Sequence, residues 1–355
     1  MSTNKTLQPH WRYCSIEGDI VLERASSYLV EPQNIGPVFF PESRLSTRIR
    51  FHQAWYRAGI LGIERFGCMP AANGQVPKGS VLPPAAALEG KNFTSAEAFD
   101  WYTNRRAQGW GVDPIRCTAV MTSSQALTFN AFAPLRHCDR WFRVVLSNIF
   151  DIDVKKIHRC EIEFAPSRPS LALGDKTRLD LWLLIATSSG SLSACIEVKY
   201  ADRFSSRFLP VWKNDRYRDL TLRGNCNSWD LDSPQIRSRR INQLVRCHAL
   251  TSFLGTSYEC KNSARVAVIH HPDDAIALDI VDEYRSVVRQ QSSIKSMDIK
   301  RLFEVMMDNS SSEEQRREVS TLACRYVQFD LSDPSWRLAQ NTHSGRSITG
   351  SRQAD

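Results

Sequence analysis

Apolar positions along this chain recur at two periods. Between Ser43 and Ala58, Leu45, Ile49, His52 and Tyr56 are spaced as one helical face. Ser95 to Gln108 reads as a short helix capped by Ser95, with Phe99 and Tyr102 on one face. Ser123 or Ser124 caps a helix to about Ala133. Pro134 breaks it and opens another, in which Leu135, Cys138, Phe142, Val145 and Ile149 form a buried stripe. The period then falls to two. From Ile157 to Phe164, Ile157, Arg159, Glu161 and Glu163 share one side, and His158, Cys160, Ile162 and Phe164 the other. Residues 178 to 200 hold two apolar runs, rich in β-branched and aromatic residues, around Ser188-Ser189-Gly190-Ser191. That pattern predicts a β-hairpin with a four-residue loop. Ser233-Pro234 opens a helix to about Leu254, with Ile236, Gln243, Cys247, Leu250 and Leu254 on one face. Arg265 to His270 is apolar on both parities, the mark of a strand covered on both sides. Asp273 or Asp274 caps a helix to about Gln290, and Met297 to Met307 reads as another.

From Ser123 the order is helix, helix, strand, strand, strand, helix, strand, helix. That order predicts an α/β fold with a mixed central sheet flanked by helices, preceded by a mostly helical N-terminal extension. Residues 1–42 read as an irregular lead, the Gly- and Pro-rich stretch 67–94 as a long loop, and 201–232 as polar surface. The expected division is an extension over 1–110, a core over 111–292, a helical segment over 293–335 and a disordered tail over 336–355.

Composition narrows the function classes. A chain of 355 residues with 42% hydrophobic and 24% charged residues is that of a soluble globular protein. It has no apolar run long enough for a membrane helix, and Met1 to Arg12 lacks the apolar core of a signal peptide, so a cytoplasmic location is expected. The ten cysteines form no CxxC pair and read as small buried hydrophobes. There is no GxxxxGK[ST], GxSxG or HExxH, which removes P-loop, serine-hydrolase and zincin chemistry. The net charge of +8, mostly from arginine, favours a polyanionic partner.

Three charges interrupt the apolar hairpin: Asp180, Glu197 and Lys199. A four-residue loop sets Thr187 opposite Leu192, Asp180 opposite Lys199 and Trp182 opposite Glu197. Opposed residues, and residues two apart, share a face, so all three charges converge there. A one-residue slip would separate them. Two neighbouring carboxylates repel, and a divalent cation such as Mg²⁺ resolves the repulsion. Mg²⁺ is typically held by one or two carboxylates plus substrate phosphate. A lysine beside it orients the attacking water and stabilises the charge of the phosphorus centre, which is metal-assisted phosphodiester hydrolysis.

Asp180 followed by Glu197-Val198-Lys199 resembles the active-site motif of the PD-(D/E)XK nuclease superfamily, with Leu179 where a proline usually stands. Met121 to Leu135 is similar to the SSQxxxFNxF signature of a bacterial restriction endonuclease-like family. Ser43 to Gly59 and Ile241 to Leu250 also look like segments of that family. The resemblance covers roughly residues 40 to 290 and implies a restriction endonuclease-like αβββαβ core. It implies Asp180 and Glu197 as ligands of Mg²⁺, or alternatively Mn²⁺, with the Val198 carbonyl as a further ligand. Lys199 would position water and Gln243 would orient the site. Glu163, in competition with Glu161, would be the upstream acidic residue. Gln125 and Asn130 match the signature without an assigned chemistry.

The substrate expected is DNA, with RNA as the alternative, and a homodimer is one arrangement open to it. A basic stretch (Arg203, Arg207, Lys213, Arg216, Arg218, Arg223, Arg237, Arg239, Arg240, Arg246) would contact phosphates. Trp212, Tyr217 and Trp229 read either as stacking platforms for bases or as anchors of a long loop. An inactive binding module of the same fold is the non-enzymatic alternative.

Overall fold

The structure is a computed structural model, and it describes residues 29–222, 229–230, 233–260 and 264–349. At its centre is a five-stranded mixed sheet of β3 (Val154–Phe164), β4 (Leu179–Thr187), β5 (Gly190–Val198), β6 (Arg265–His270) and β7 (Ile294–Asp298), in that spatial order. β3, β4 and β5 run antiparallel, and β5, β6 and β7 run parallel. A separate hairpin, β1 (Gly67–Ala71) and β2 (Gly74–Lys78), lies outside this sheet.

The main helices are α1 (Arg44–Trp55), α2 (Ala96–Ala107), α3 (Ser124–Phe132), α4 (Asp139–Phe150), α5 (Asn242–Thr256), α6 (Ala275–Val287), α7 (Ile299–Asp308), α8 (Glu313–Tyr326) and α9 (Asp333–Thr349). They cover both faces of the sheet. Leu181, Leu183, Ile185, Ala194, Ile196, Ala267 and Ile269 pack with α3, α4, α7 and α8. The alternate residues Trp182, Leu184, Cys195, Val266 and Val268 pack with α5 and α6. The period-two pattern is thus buried on both parities, and each large apolar side chain so enclosed contributes about 1.5–3 kcal/mol. A third cluster joins α1 to Leu82, Ala86, Cys324, Leu331 and Ala339.

The α/β architecture agrees with the sequence reading, and several details do not. The hairpin turn is two residues, not four. Thr187 pairs with Gly190 and Trp182 with Cys195, which carries Asp180 opposite Glu197 rather than Lys199. The Thr187 hydroxyl accepts from Ser189 N at 3.2 Å and donates to Gly190 O at 2.9 Å, closing the short turn. Gly190 there takes φ +116°, a conformation that favours glycine. The error is an even number of residues, so the face of every side chain survives it.

In β3, which starts at Val154, register shifts set Ile157 opposite Ile185 but Arg159 opposite Leu184. Ile157 therefore faces away from Arg159 and Glu161, because a bulge reverses the alternation. Pro134 opens only a 3₁₀ turn to His137, and α4 starts afresh at Asp139. Residues 67–94 contain β1, β2 and a short helix, Pro84–Leu88. Ser233-Pro234 likewise opens a 3₁₀ turn, and α5 begins at Asn242. Met297 belongs to β7, and Asp298 caps α7 by accepting from Arg301 N at 2.8 Å.

The expected tail is helical through Thr349. Its Trp336 meets Phe51 edge to face at 4.8 Å, a contact no local pattern announces. Most of the expected irregular lead lies outside the described residues. The eight cysteines among the described residues form no disulfide. No helix there is long and apolar enough to cross a membrane.

Candidate active site

The charged residues gather at one end of the sheet, where β4 begins and β5 ends. Asp180 is held by the N–H of Val198, which donates to its Oδ2 at 2.8 Å. Lys199 follows β5 directly, and its N–H donates to Ile269 O at 2.7 Å, so the strand direction continues through it. Its side chain therefore shares a face with that of Glu197, and its Nζ lies 2.8 Å from Glu197 Oε1. Both residues are buried.

Helix α5 supplies the next layer. Gln243 and Cys247 are one turn apart and both reach Glu197. Gln243 Nε2 donates to Oε1 at 2.5 Å, and Cys247 Sγ lies 3.5 Å from Oε2. Gln243 Oε1 accepts from Ser205 N at 2.6 Å and from Lys199 Nζ at 3.4 Å. One glutamine thus ties together the carboxylate, the lysine and the segment after β5. The ring of Phe204 in that segment covers Lys199 Nζ at 4.9 Å.

Glu163 completes the row, since the β3–β4 register puts it across from Asp180. Its backbone is left-handed, with φ +46°, a conformation costing roughly 1–2 kcal/mol in a residue with a Cβ. Arg105 holds it there, with Nε and Nη2 donating to Glu163 O at 3.1 and 2.6 Å. Nη2 also donates to Trp110 O at 2.9 Å. A Cβ at Gly111 would meet that Nη2 at 2.6 Å, which is why glycine stands there. The Glu163 carboxylate is buried; Gln125 Nε2 of α3 donates to Oε2 at 2.6 Å, and Oε1 has no hydrogen-bond partner.

This clustering raises carboxyl pKa values. Burial, then Glu197 and Glu163, hold Asp180 well above the usual carboxylate range, against Lys199 and the Val198 N–H. Burial pushes Glu163 up to about 7, with Glu197 adding to it and Arg178, Gln125 and Arg105 opposing. Burial disfavours the Lys199 ammonium, but Glu197 and Asp180 outweigh it and raise its pKa. Protons or a cation must balance this excess of carboxylates.

A divalent cation suits what is present. The donors are hard carboxylate oxygens, they repel one another, and Glu163 Oε1 is buried and unpaired. No group of three or more His, Cys, Asp or Glu side chains forms a ready-made metal cage among the described residues. Mg²⁺ needs none, because it keeps several waters and takes the remaining ligands from phosphate.

Strand order, charge placement and the acidic residue followed by Val-Lys agree with a match over most of the chain. A family model described as the PD-(D/E)XK nuclease superfamily matches residues 41–328. The chain belongs to this superfamily. No curated protein and no solved structure matches it. The nuclease superfamily match runs beyond the sheet to α1 at one end and α8 at the other. Those helices support the site from behind: Gln53 Nε2 donates to Tyr200 OH at 3.0 Å, and Tyr200 OH donates to Tyr326 O at 3.3 Å.

Asp180, Glu197, Val198, Lys199, Gln243 and Glu163 therefore lie together. Glu161 lies opposite Trp182 instead. Asn130 serves the scaffold, accepting from Thr94 N at 3.0 Å and donating to Asn92 O at 3.1 Å. Tyr217 and Trp229 are buried anchors, and half-buried Trp212 has the Arg237 guanidinium 5.9 Å from its ring. Arg246 is buried, donating to Thr177 Oγ1 at 2.9 Å, and Arg216 donates to Ala172 O at 3.0 Å. Arg203, Arg207 and Lys213 are exposed on the segment after β5, and Arg223 lies outside the described residues.

Sequence reasoning passed over Arg105 and the chemical roles of Cys247 and Gln125. The SSQ spacing was the available signal for Gln125, and the i, i+4 relation to Gln243 the signal for Cys247.

Proposed function

We propose that this chain is a Mg²⁺-dependent endonuclease that hydrolyses phosphodiester bonds of DNA, in restriction or defence against foreign DNA. One observation carries the reading: Asp180, Glu197 and Lys199 meet at one sheet end, Asp180 held by the Val198 N–H and the other two tied together by Gln243. Asp180 and Glu197, with the Val198 carbonyl, would hold the cation. When bound, Mg²⁺ neutralises phosphate charge and activates water. Glu163, buried beside them, would supply a further carboxylate oxygen. Lys199 directs its N–H groups at the attacking water and at the phosphoryl oxygens as their charge grows. Gln243 keeps Glu197 and Lys199 in register. Arg203, Arg207 and Lys213 contact the flanking phosphates.

Plasmid nicking tests this. The wild type is expected to nick with Mg²⁺ or Mn²⁺ and not with EDTA, and Asp180→Ala and Lys199→Ala each to lose at least about a hundredfold. Undiminished cleavage by both variants removes the assignment. Salt-sensitive DNA binding without cleavage favours an inactive binding module, and cleavage of RNA in place of DNA redirects the substrate. In this reading residues 111–292 carry the chemistry and the flanking helices brace it.

A further inference from the structure

Ser124 and Gln125, adjacent at the start of α3, reach two different carboxylates. Ser124 donates to Asp202 Oδ2 from its backbone N at 3.1 Å and from its hydroxyl at 2.9 Å. Asp202, three residues past Lys199, is also paired with Arg116. Gln125 reaches Glu163, on the other side of β4 from β5. The helix that packs on one face of the sheet therefore grips acidic groups at both margins of the site, while Gln243 and Cys247 approach from the helix on the other face.

The orientation of the Gln125 amide follows from its neighbours. Its Oε1 accepts from the N–H of Asp113 at 3.3 Å, and a backbone N–H only donates. Nε2 must then point to the opposite side, where it meets Glu163 Oε2 at 2.6 Å and Gly111 O at 3.3 Å. With the strained backbone of Glu163 gripped by Arg105, two of the three handles on this residue are occupied. The third, Oε1, is buried and unpaired. Leaving one buried carboxylate oxygen unsatisfied costs about 1–3 kcal/mol or more, so it persists where a ligand supplies the missing partner.

We propose that Gln125 is a positioning residue that turns the Glu163 carboxylate so that its Oε1 faces a divalent cation held with Asp180 and Glu197. This rests on the metal-site reading above and gives the SSQ segment a task. Gln125 touches neither cation nor substrate; it acts through Glu163. Partners that orient a metal-binding carboxylate typically change affinity by about 10–100-fold when removed.

A double-mutant cycle on Mn²⁺ affinity, measured by electron paramagnetic resonance on the full chain without nucleic acid, tests it. Gln125→Met and Glu163→Gln are each expected to weaken binding about 10-fold or more. The double variant is expected to bind as Glu163→Gln alone does, because Gln125 has nothing left to orient. Gln125→Leu removes the donor without adding charge, and carries the same expectation if the methionine variant does not fold. Wild-type affinity in both Gln125 variants overturns the proposal, and so do losses that multiply in the double variant. Wild-type Mn²⁺ binding that Asp180→Asn leaves unchanged overturns the metal-site reading and the proposal with it, a result distinct from failure of Gln125 alone.

Discussion

The Arg325 guanidinium and the Glu163–Asp180–Glu197 row are both buried polar groups near Tyr200, and their surroundings differ. Each nitrogen of the Arg325 guanidinium meets a neutral acceptor. Asn92 offers its carbonyl at 2.7 Å and its side-chain oxygen, and Gln53 Oε1 lies at 3.3 Å. Gln53 Nε2 then donates to Arg325 O at 2.6 Å and to Tyr200 OH at 3.0 Å. In the acidic row, carboxylates share one lysine and Glu163 Oε1 has no partner. A saturated network holds a fold in one arrangement, and an unsaturated one stores a need that a ligand can meet. Substitutions should therefore act with opposite sign in the two places.

The largest effect is expected at Asn92. Asn92→Ala removes the side-chain acceptor from a buried guanidinium, and the amide's bond to Cys117 O with it, and should cost about 3 kcal/mol of stability in urea unfolding. A loss under about 1 kcal/mol would show that the Arg325 network is as dispensable as an exposed ion pair.

Glu163→Gln should stabilise the metal-free protein. The folded-state carboxyl is raised to about 7, so folding favours the protonated form. The penalty is absent below the unfolded value near 4.5, grows as pH rises through about 7, and is complete above that. The gain should be on the order of 2 kcal/mol at pH 8 and vanish at pH 4. Mg²⁺ should raise the wild-type Tm at pH 8 and much less at pH 5, where protons already neutralise the raised carboxyls of Glu163 and Asp180. A Glu163→Gln protein less stable than wild type at pH 8 without metal would erase the contrast.

More gradual is the acid response of the buried histidines. Burial holds His52 down at about 3, with its bond to Cys324 O opposing, and His248 at about 4, with Ala264 O opposing. Depressed values favour the neutral ring in the fold. That stability is present above about 6.5, is lost as pH falls toward the folded values, and should decline on the order of 1 kcal/mol per pH unit. Flat stability between pH 6.5 and 4.5 in a chain lacking both rings (His52→Gln, His248→Gln) would assign the wild-type loss to them.

The strands and helices that bury their faces locally are legible in the sequence. The 95–108 helix has its Ser95 cap, with Ala98 N donating to Ser95 Oγ at 3.2 Å. The 273–290 helix has Asp274, accepting from Ala277 N at 3.0 Å. The hairpin survived an error in loop length because the error was even. The features missed depend on partners distant in sequence. β7 is recognisable by pairing with β6, and α9 is docked by Trp336 on Phe51. The break before α5 sits where Asn242 brackets Leu209, accepting from its N at 3.0 Å and donating to its O at 2.7 Å.

The chain alone determined that Asp180, Glu197 and Lys199 share a face, because side-chain direction along a strand follows from parity. The family resemblance added Gln243 as a residue orienting the site and singled out the SSQ stretch. Only the tertiary structure decided that Glu163 turns into the row, since its direction is set by a left-handed backbone held by Arg105, 58 residues away. The same holds for the reach of Gln125 to Glu163, across 38 residues. Parity is a local property of the backbone, whereas the packing of one helix against the end of a strand depends on every element folded between them.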